Sequence, residues 1–245
     1  MKNKQIVIGI IAKHPKAMCD NCHYGLSGTL FVDDLSAVIF ANGAIPIGIL
    51  PPDIGIHKRN DLFDPVDYEL DKKAISNLEK SLALCNGIII QGGYSNDHYE
   101  LFVAKYCYDN DIPLLGICAG HQVMAHAMGG KTAKMKTDTH IKPWLDKRHG
   151  EFVHDVFITP KTKLHKIIGN TKLGVNSSHG FHVSELPPGY VVSAVDDDGN
   201  IEAMEALNKR FNLSVQWHPE CLYAKSKKHN AIFKALIDAS RPLKP

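Results

Sequence analysis

The first half of the chain alternates short, continuous apolar runs with amphipathic stretches. A continuous run such as residues 6–11 is typical of a strand that is buried on both faces of a parallel sheet. The stretches between the runs have a helical apolar period, and Gly43 follows the first of them where a helix C-terminal glycine belongs. The predicted strands are residues 6–11, 45–50, 87–91 and 112–117, and the predicted helices are residues 29–42, 71–84 and 99–108. Strands and helices in alternation predict a doubly wound, flavodoxin-like α/β fold with a mostly parallel sheet.

The second half of the chain has a different pattern, in which strand-like runs are separated by turns. These runs cover residues 152–158, 190–195, 201–205 and 213–217. We expect them to form antiparallel strands added to the parallel sheet, followed by a closing helix over residues 226–239. Residues 51–70 are rich in Pro, Asp and Gly and predict a long loop. Because neither a repeat nor a linker interrupts the pattern, we predict one domain over residues 1–245.

Composition narrows the functional classes. The chain has 245 residues, of which 44% are hydrophobic and 22% are charged, as in ordinary globular proteins. The net charge of +2 comes without a clustered basic excess, which argues against a nucleic-acid partner. The apolar run at residues 6–12 is too short to span a membrane and lacks a cleavage site. We therefore expect a cytoplasmic protein with reduced thiols and without a membrane partner.

The candidate nucleophile is Cys118, which follows the predicted strand at residues 112–117. Gly116 and Gly120 flank it in the G-x-nucleophile-x-G pattern of a strained strand-to-helix turn. Small neighbours allow such a turn to project its side chain from the edge of the sheet. The helix that follows directs free N–H groups at the sulfur, which favours the thiolate and can stabilise an oxyanion. A buried structural cysteine in a βα turn is the alternative interpretation.

A second motif, H-P-E at residues 218–220, supplies the partners that a nucleophilic thiol needs. Pro219 disfavours a helical conformation at His218, so we expect that residue to be extended. Side chains two apart on an extended segment share a face, which places Glu220 beside the imidazole. A carboxylate in that position fixes the tautomer of the ring and supports the imidazolium. Cys118, His218 and Glu220 therefore predict a triad for acyl transfer through a thioester.

These motifs carry a resemblance to a known family. G-x-C-x-G-x-Q at residues 116–122, followed by the H-P-E motif, resembles the class I glutamine amidotransferase superfamily. Within it, the chain is most similar to the free-standing γ-glutamyl-γ-aminobutyrate hydrolase type, peptidase family C26. The other matching segments are G-A-I-P at 43–46, Q-G-G-Y-S-N-D at 91–97, V-N-S-S-H at 175–179 and G-N-I-E-A-M-E at 199–205. The resemblance implies a class I glutamine amidotransferase-like fold.

The resemblance also implies a role for each matching residue. Cys118 would attack a γ-glutamyl carbonyl, His218 would shuttle protons and Glu220 would orient His218. The oxyanion would be bound by the N–H groups of Gly93 and Ala119. The residues placed at the substrate are Gly92, Gln122, Ser178 and His179.

Two departures from the family pattern bear on the substrate. Ala119 stands where arginine is common, and the His-His pair after V-N-S-x is replaced by His179 and Gly180. The main hypothesis is a hydrolase that cleaves a small γ-glutamyl amide into glutamate and an amine, without a metal or an organic cofactor. One alternative is a glutaminase subunit that delivers ammonia to a separate synthetase partner. Another is a binding protein that has lost turnover, and a homodimer is left open.

The remaining cysteines and histidines predict no metal site. Cys19, Cys22 and His23 form a C-x-x-C-H string, but haem attachment requires export and zinc requires more ligands. We interpret this segment as a loop that lines the substrate site. His121 and His126 are five residues apart and do not share a helix face. The cysteines outside these motifs, Cys85, Cys107 and Cys221, are interpreted as buried apolar residues.

Overall fold

The computed structural model describes residues 5–13, 29–52, 70–93 and 98–242. Most of the predicted loop at residues 51–70 and the whole C-x-x-C-H segment lie outside these ranges. The strands are β1 (Val7–Ile11), β2 (Ile45–Ile49), β3 (Gly87–Ile90), β4 (Leu114–Ile117), β5 (Lys131–Lys134), β6 (His154–Ile158), β7 (Lys172–Val175), β8 (Phe181–Glu185), β9 (Tyr190–Val195), β10 (Ile201–Ala206) and β11 (Asn212–Val215). The helices are α1 (Asp33–Ala41), α2 (Lys72–Leu82), α3 (His98–Asp109), α4 (Ala119–Ala127), α5 (Lys142–Leu145), α6 (Lys163–Ile168) and α7 (Lys227–Ala239).

Five parallel strands form the centre of the sheet, in the order β2-β1-β3-β4-β11. Helices cover both faces of these strands. On one face α1, α6 and α7 contribute to a core that includes Leu35, Leu164 and Phe233. On the other face α2, α3 and α4 contribute to a second core that includes Leu78 and Val103. Coverage of both faces explains the continuous apolar runs and confirms the doubly wound α/β fold.

The orientation of β11 corrects one prediction. It was expected to be antiparallel, like the other strands of the second half, but it runs parallel to β4 and antiparallel to β10. The run L-S-V-Q-W at residues 213–217 alternates apolar and polar residues, which is typical of a strand with one solvated face. Here the polar residues Ser214 and Gln216 are buried as well. Two side chains of α4 satisfy them, since His121 forms a hydrogen bond with Ser214 and Gln122 donates one to Gln216.

An antiparallel extension continues the sheet beyond β11, in the order β10-β9-β6-β7. The three strands predicted here, β6, β9 and β10, are antiparallel to their neighbours, as expected. The prediction missed β5, β7 and β8, of which β8 pairs with both β5 and β10. Each missed strand is short, and β5 (K-T-A-K) has none of the apolar periodicity on which strand prediction depends.

The ends of the described helices carry expected signals. Gly43 follows Asn42, the C-cap of α1, and has a φ of +76°, a conformation that glycine adopts without strain. Asp71 accepts a hydrogen bond of 2.7 Å from the N–H of Ala74 and so caps α2. Within the described ranges, every helix is too short or too polar to cross a membrane.

Candidate active site

Cys118 occupies the sharp turn between β4 and α4. Its φ of 51° and ψ of −105° are unusual for a residue with a side chain. The flanking glycines make this turn feasible because there is no room for a Cβ atom at either position. A Cβ on Gly116 would lie 2.5 Å from Met124 Sδ, and one on Gly120 would lie 2.0 Å from the carbonyl oxygen of Ile90. The structure therefore shows the strained strand-to-helix turn that the sequence predicted.

His218 and Glu220 lie together, directly after β11. The Nδ1 atom of His218 is 2.7 Å from Glu220 Oε1, and both side chains are buried. The backbone differs from the prediction, since the contact is made across a 3-10 turn at Pro219–Cys221 and not along an extended segment. His218 itself stays outside the helical region, with a φ of −107° and a ψ of 82°. The expected pair is present, but through a different local geometry.

Asn176 clamps the main chain of His218 and was not singled out by the sequence analysis. Its Oδ1 accepts a hydrogen bond of 2.9 Å from the N–H of His218. Its Nδ2 donates to the carbonyl oxygens of His218 at 3.0 Å and His149 at 2.6 Å. The V-N-S-S-H segment that carries it was noted only for its resemblance. A buried amide with this many backbone partners fixes the position of the His218 main chain, from which the imidazole extends.

Trp144 of α5 packs beside the same imidazole. The centroids of the Trp144 and His218 rings are 5.2 Å apart, and Trp144 also stacks on His149 at 3.8 Å. The aromatic contact and the Asn176 clamp hold His218 from two sides. Its Nε2 atom is buried and, among the described residues, its one hydrogen-bonding neighbour is the Cys118 thiol. That nitrogen is therefore the one that serves the thiol.

The electrostatics of the site favour a charged imidazole. Burial has the largest single effect on the pKa of His218 and lowers it. The negative charges of Glu220 and of the Cys118 sulfur, and the hydrogen bonds to both, raise the pKa. Together they hold the pKa of His218 well above its ordinary value. By contrast, burial raises the pKa of Cys85 to about 11 and the pKa of Cys107 further still. These two thiols are therefore kept in their unreactive protonated form.

Gly92 and Gly93 follow β3 and border the site. A Cβ on Gly92 would lie 2.6 Å from His218 Cε1 and 3.3 Å from Cys118 Cβ, so the backbone of this turn touches both side chains. Gly93 is exposed and lies against the side chain of Lys13. Ala119 is the first residue of α4, where helix N–H groups lack intrahelical partners.

The other predicted substrate residues are placed differently. The carbonyl oxygen of Ser178 is 3.9 Å from Cys118 Sγ, so this residue borders the thiol. Gln122 Nε2 donates a hydrogen bond of 3.0 Å to the carbonyl oxygen of Phe181, so part of its amide group is already engaged within the protein. His179 is only 3% exposed, and its Nε2 lies 3.4 Å from a carboxylate oxygen of Glu202. The structure thus places the His179 side chain in the interior, beside Glu202.

Comparison with known proteins identifies the family. The Peptidase C26 family profile matches residues 70–220, which contain the turn at Cys118 and the His218–Glu220 pair. The chain belongs to the Peptidase C26 family. A protein of Mycobacterium tuberculosis named as a putative glutamine amidotransferase is 31% identical over 224 residues, covering 80% of this chain and 69% of the relative. This C26 protein is therefore related to a protein named as a glutamine amidotransferase.

Two further comparisons concern GMP synthases. The glutamine-hydrolysing GMP synthase of Xylella fastidiosa is 35% identical over 139 residues, covering 55% of this chain and 24% of the synthase. The crystal structure of a GMP synthase subunit homologue from Thermoplasma acidophilum superposes with a TM-score of 0.64 at 18% identity, covering 97% of this chain and 94% of that one. At that identity the likeness shows the fold alone, and it is the class I glutamine amidotransferase-like fold.

Proposed function

We propose that this C26 protein is a cysteine hydrolase that cleaves a small γ-glutamyl amide through a glutamyl thioester, releasing glutamate and an amine. The observation that carries the proposal is the buried His218–Glu220 pair at 2.7 Å, set beside a thiol on a strained turn. A thiol with a neighbouring imidazole, which is itself oriented by a carboxylate, is the arrangement that nucleophilic catalysis requires.

The first half of the reaction forms the thioester. His218 Nε2 holds the proton of the Cys118 thiol, and the thiolate sulfur bonds to the γ-carbonyl carbon of the substrate. The carbonyl oxygen becomes an oxyanion, for which the N–H groups of Gly93 and Ala119 are the proposed donors. When the tetrahedral intermediate collapses, the C–N bond breaks and His218 passes its proton to the departing amine.

The second half of the reaction releases glutamate. His218 Nε2 takes a proton from water, and the resulting hydroxide attacks the thioester carbon. The C–S bond then breaks, His218 returns its proton to the Cys118 sulfur, and the γ-carboxyl group of glutamate loses its own proton to solvent. Glu220 accepts the Nδ1–H of His218 throughout, which keeps Nε2 directed at the reacting atoms.

A partner-dependent glutaminase is the second candidate. Its support is the similarity to glutamine-hydrolysing GMP synthases, of which this chain matches only a part. Ala119, which stands where the free-standing hydrolases commonly carry arginine, points the same way. The glutamine half of the chemistry is the same in both cases, because ammonia is the amine released from glutamine. The two candidate functions differ in whether the isolated chain hydrolyses its substrate without a partner.

The test is glutamate release by the purified chain with glutamine and a panel of γ-glutamyl amines offered in parallel. We expect rapid release from at least one γ-glutamyl amine, and loss of activity by a factor of about 10³ or more in Cys118→Ala. Cys85→Ser is the matched control, since that half-buried thiol lies outside the site, and it should keep full activity. Undiminished turnover by Cys118→Ala would refute the thioester mechanism. A silent wild-type chain that still forms a Cys118 adduct with an electrophilic glutamine analogue would favour the partner-dependent glutaminase.

A further inference from the structure

A second buried cluster of titratable side chains lies in the antiparallel part of the sheet. It is made of Glu202 on β10, His154 at the start of β6, His140 before α5 and His179 between β7 and β8. One ligand atom from each of His140, His154 and Glu202 lies within 4.8 Å of the other two. His179 Nε2 extends the cluster, since it is 3.4 Å from Glu202 Oε1.

Most of the groups that face each other in this cluster are hydrogen-bond acceptors without donors, and the exception is His140 Nδ1, which lies 3.1 Å from Ser177 Oγ. Within the described ranges, neither carboxylate oxygen of Glu202 has a hydrogen-bond partner, and its side chain is fully buried. The Nε2 atoms of His154 and His179 are also buried without a partner. Buried polar atoms are nearly always satisfied, so several converging unsatisfied acceptors indicate that a proton, a water or a cation lies between them.

The opposite nitrogen of each ring already has an acceptor, which fixes the tautomer. His154 Nδ1 lies 3.2 Å from the carbonyl oxygen of Asp155, and His179 Nδ1 lies 3.0 Å from that of Phe181. His140 Nε2 lies 3.2 Å from a carboxylate oxygen of Asp196. If each of these nitrogens carries the proton, the lone pairs of the remaining nitrogens face Glu202. Metal-binding histidines are oriented in this way, with the second nitrogen donating to a carboxylate or a carbonyl.

We propose that His140, His154, His179 and Glu202 bind one divalent transition-metal ion of the Zn²⁺ class. Three imidazole nitrogens and one carboxylate oxygen are a donor set that suits Zn²⁺. Ligand atoms around tetrahedral Zn²⁺ are about 3.3 Å apart, so the 3.4 Å between His179 Nε2 and Glu202 Oε1 already fits, and the atoms of the three-residue group at up to 4.8 Å must move together when the ion binds. His140 Nδ1, the ligand atom of that ring, is 3.9 Å from Glu202 Oε1.

The proposed site is connected to the candidate active site through residues 176–179. Ser177 Oγ lies 3.1 Å from His140 Nδ1 and turns aside, or becomes a further oxygen ligand, when the ion binds. On either side of it, Asn176 clamps His218 and the carbonyl oxygen of Ser178 borders Cys118. An ion held by His179 would therefore fix the segment that supports the thiol and the imidazole.

The test is Zn²⁺ binding by the full chain in a background that removes competing thiol ligands. The background carries Cys19→Ser, Cys22→Ser and Cys118→Ser, because these thiols could bind the ion by themselves. After equilibration with Zn²⁺ and gel filtration, elemental analysis should find one zinc per chain. Substitution with Co²⁺ should give visible ligand-field bands without thiolate charge-transfer absorption. A background protein that retains no metal, or a Co²⁺ spectrum with thiolate absorption, would overturn the proposal.

Single substitutions then test which residues bind the ion. In that background, Glu202→Gln and His154→Gln should each weaken Zn²⁺ binding by at least a hundredfold. Asp196→Asn changes the group that orients His140 and that also accepts hydrogen bonds from Asp198 and Asn200, and it should weaken Zn²⁺ binding by about 10–100-fold. His126→Gln is the matched control, because His126 bonds to Thr132 and lies outside the cluster. If the Glu202 variant does not fold, His154→Gln and Asp196→Asn decide, and unchanged affinity in both would refute the site.

Discussion

Replacing Gly92 with alanine should disable the candidate site while leaving the fold intact. The added Cβ would lie 2.6 Å from His218 Cε1, whereas carbon atoms in contact are about 3.5–4.0 Å apart. The ring must therefore move by about 1 Å. It cannot do so freely, because Glu220 holds its Nδ1 atom and Trp144 packs beside it. A misplacement of about 1 Å costs on the order of 100-fold in rate.

The assay does not depend on knowing the substrate. The rate of Cys118 alkylation by iodoacetamide at pH 7, located by mass spectrometry, reports how well the imidazole supports the thiolate. An unassisted cysteine is only a few per cent thiolate at that pH, so we expect alkylation to slow by about tenfold or more. Glutamate release should fall in parallel, by about 100-fold.

Gly180→Ala is the control for the Gly92 substitution. A Cβ at Gly180 meets no atom within 4 Å, and its φ lies outside the left-handed region. This variant should alkylate and turn over like the wild-type chain. If Gly92→Ala is folded, as judged by circular dichroism and its urea midpoint, and yet keeps the wild-type alkylation rate, the packing of this turn against the imidazole is not what positions His218.

Three further substitutions probe the charge of Glu220 and two other buried ionisable groups. Glu220→Gln removes the charge that raises the pKa of His218 and offers its ring the wrong partner, so turnover should fall by about 10³-fold or more; a fall of less than tenfold in glutamate release would contradict this. Glu100→Gln removes the carboxylate charge that lies 2.6 Å from the buried ammonium of Lys13 and should lower the free energy of unfolding in urea by about 1–3 kcal/mol. Burial lowers the pKa of His229 to about 4. As the pH falls below 6.5, His229 is therefore protonated in the unfolded chain but stays neutral in the folded chain, which destabilises the folded state. His229→Gln should therefore lose about 2 kcal/mol less stability than the wild-type chain between pH 7 and pH 4.5, and equal losses in urea titrations would contradict the shift.

The parallel core and the turn at Cys118 could be predicted from sequence because their signals are local. A buried strand reads as an apolar run, and a strained turn needs glycines at fixed offsets. The orientation of β11 could not be predicted in this way. Its alternating pattern is set by Ser214 and Gln216, whose buried partners His121 and Gln122 lie far away in the sequence. A polar residue that is buried by tertiary contact has the same appearance in the sequence as a solvated one.

The same reasoning explains what was missed around the site. Asn176 acts through hydrogen bonds to the backbone of His218, and a backbone partner leaves no pattern in side-chain chemistry. The acceptor cluster at Glu202 draws its histidines from three separate loops and strand ends. Metal-ligand spacing can be read from sequence only when the ligands lie on one element, as in a short C-x-x-C string.

The place of β11 in the sheet has a consequence for how the chain folds during synthesis. Its parallel partner β4 is made long before it, and until β11 docks, β4 ends the sheet as an open, apolar edge. Exposed edges of this kind pair readily with other chains. Such a pairing joins residues that are distant in sequence and closes slowly. A chain that ends before residue 212 would therefore expose the edge of β4 and tend to aggregate. The strand that leads to His218 is thus also the one that covers this edge.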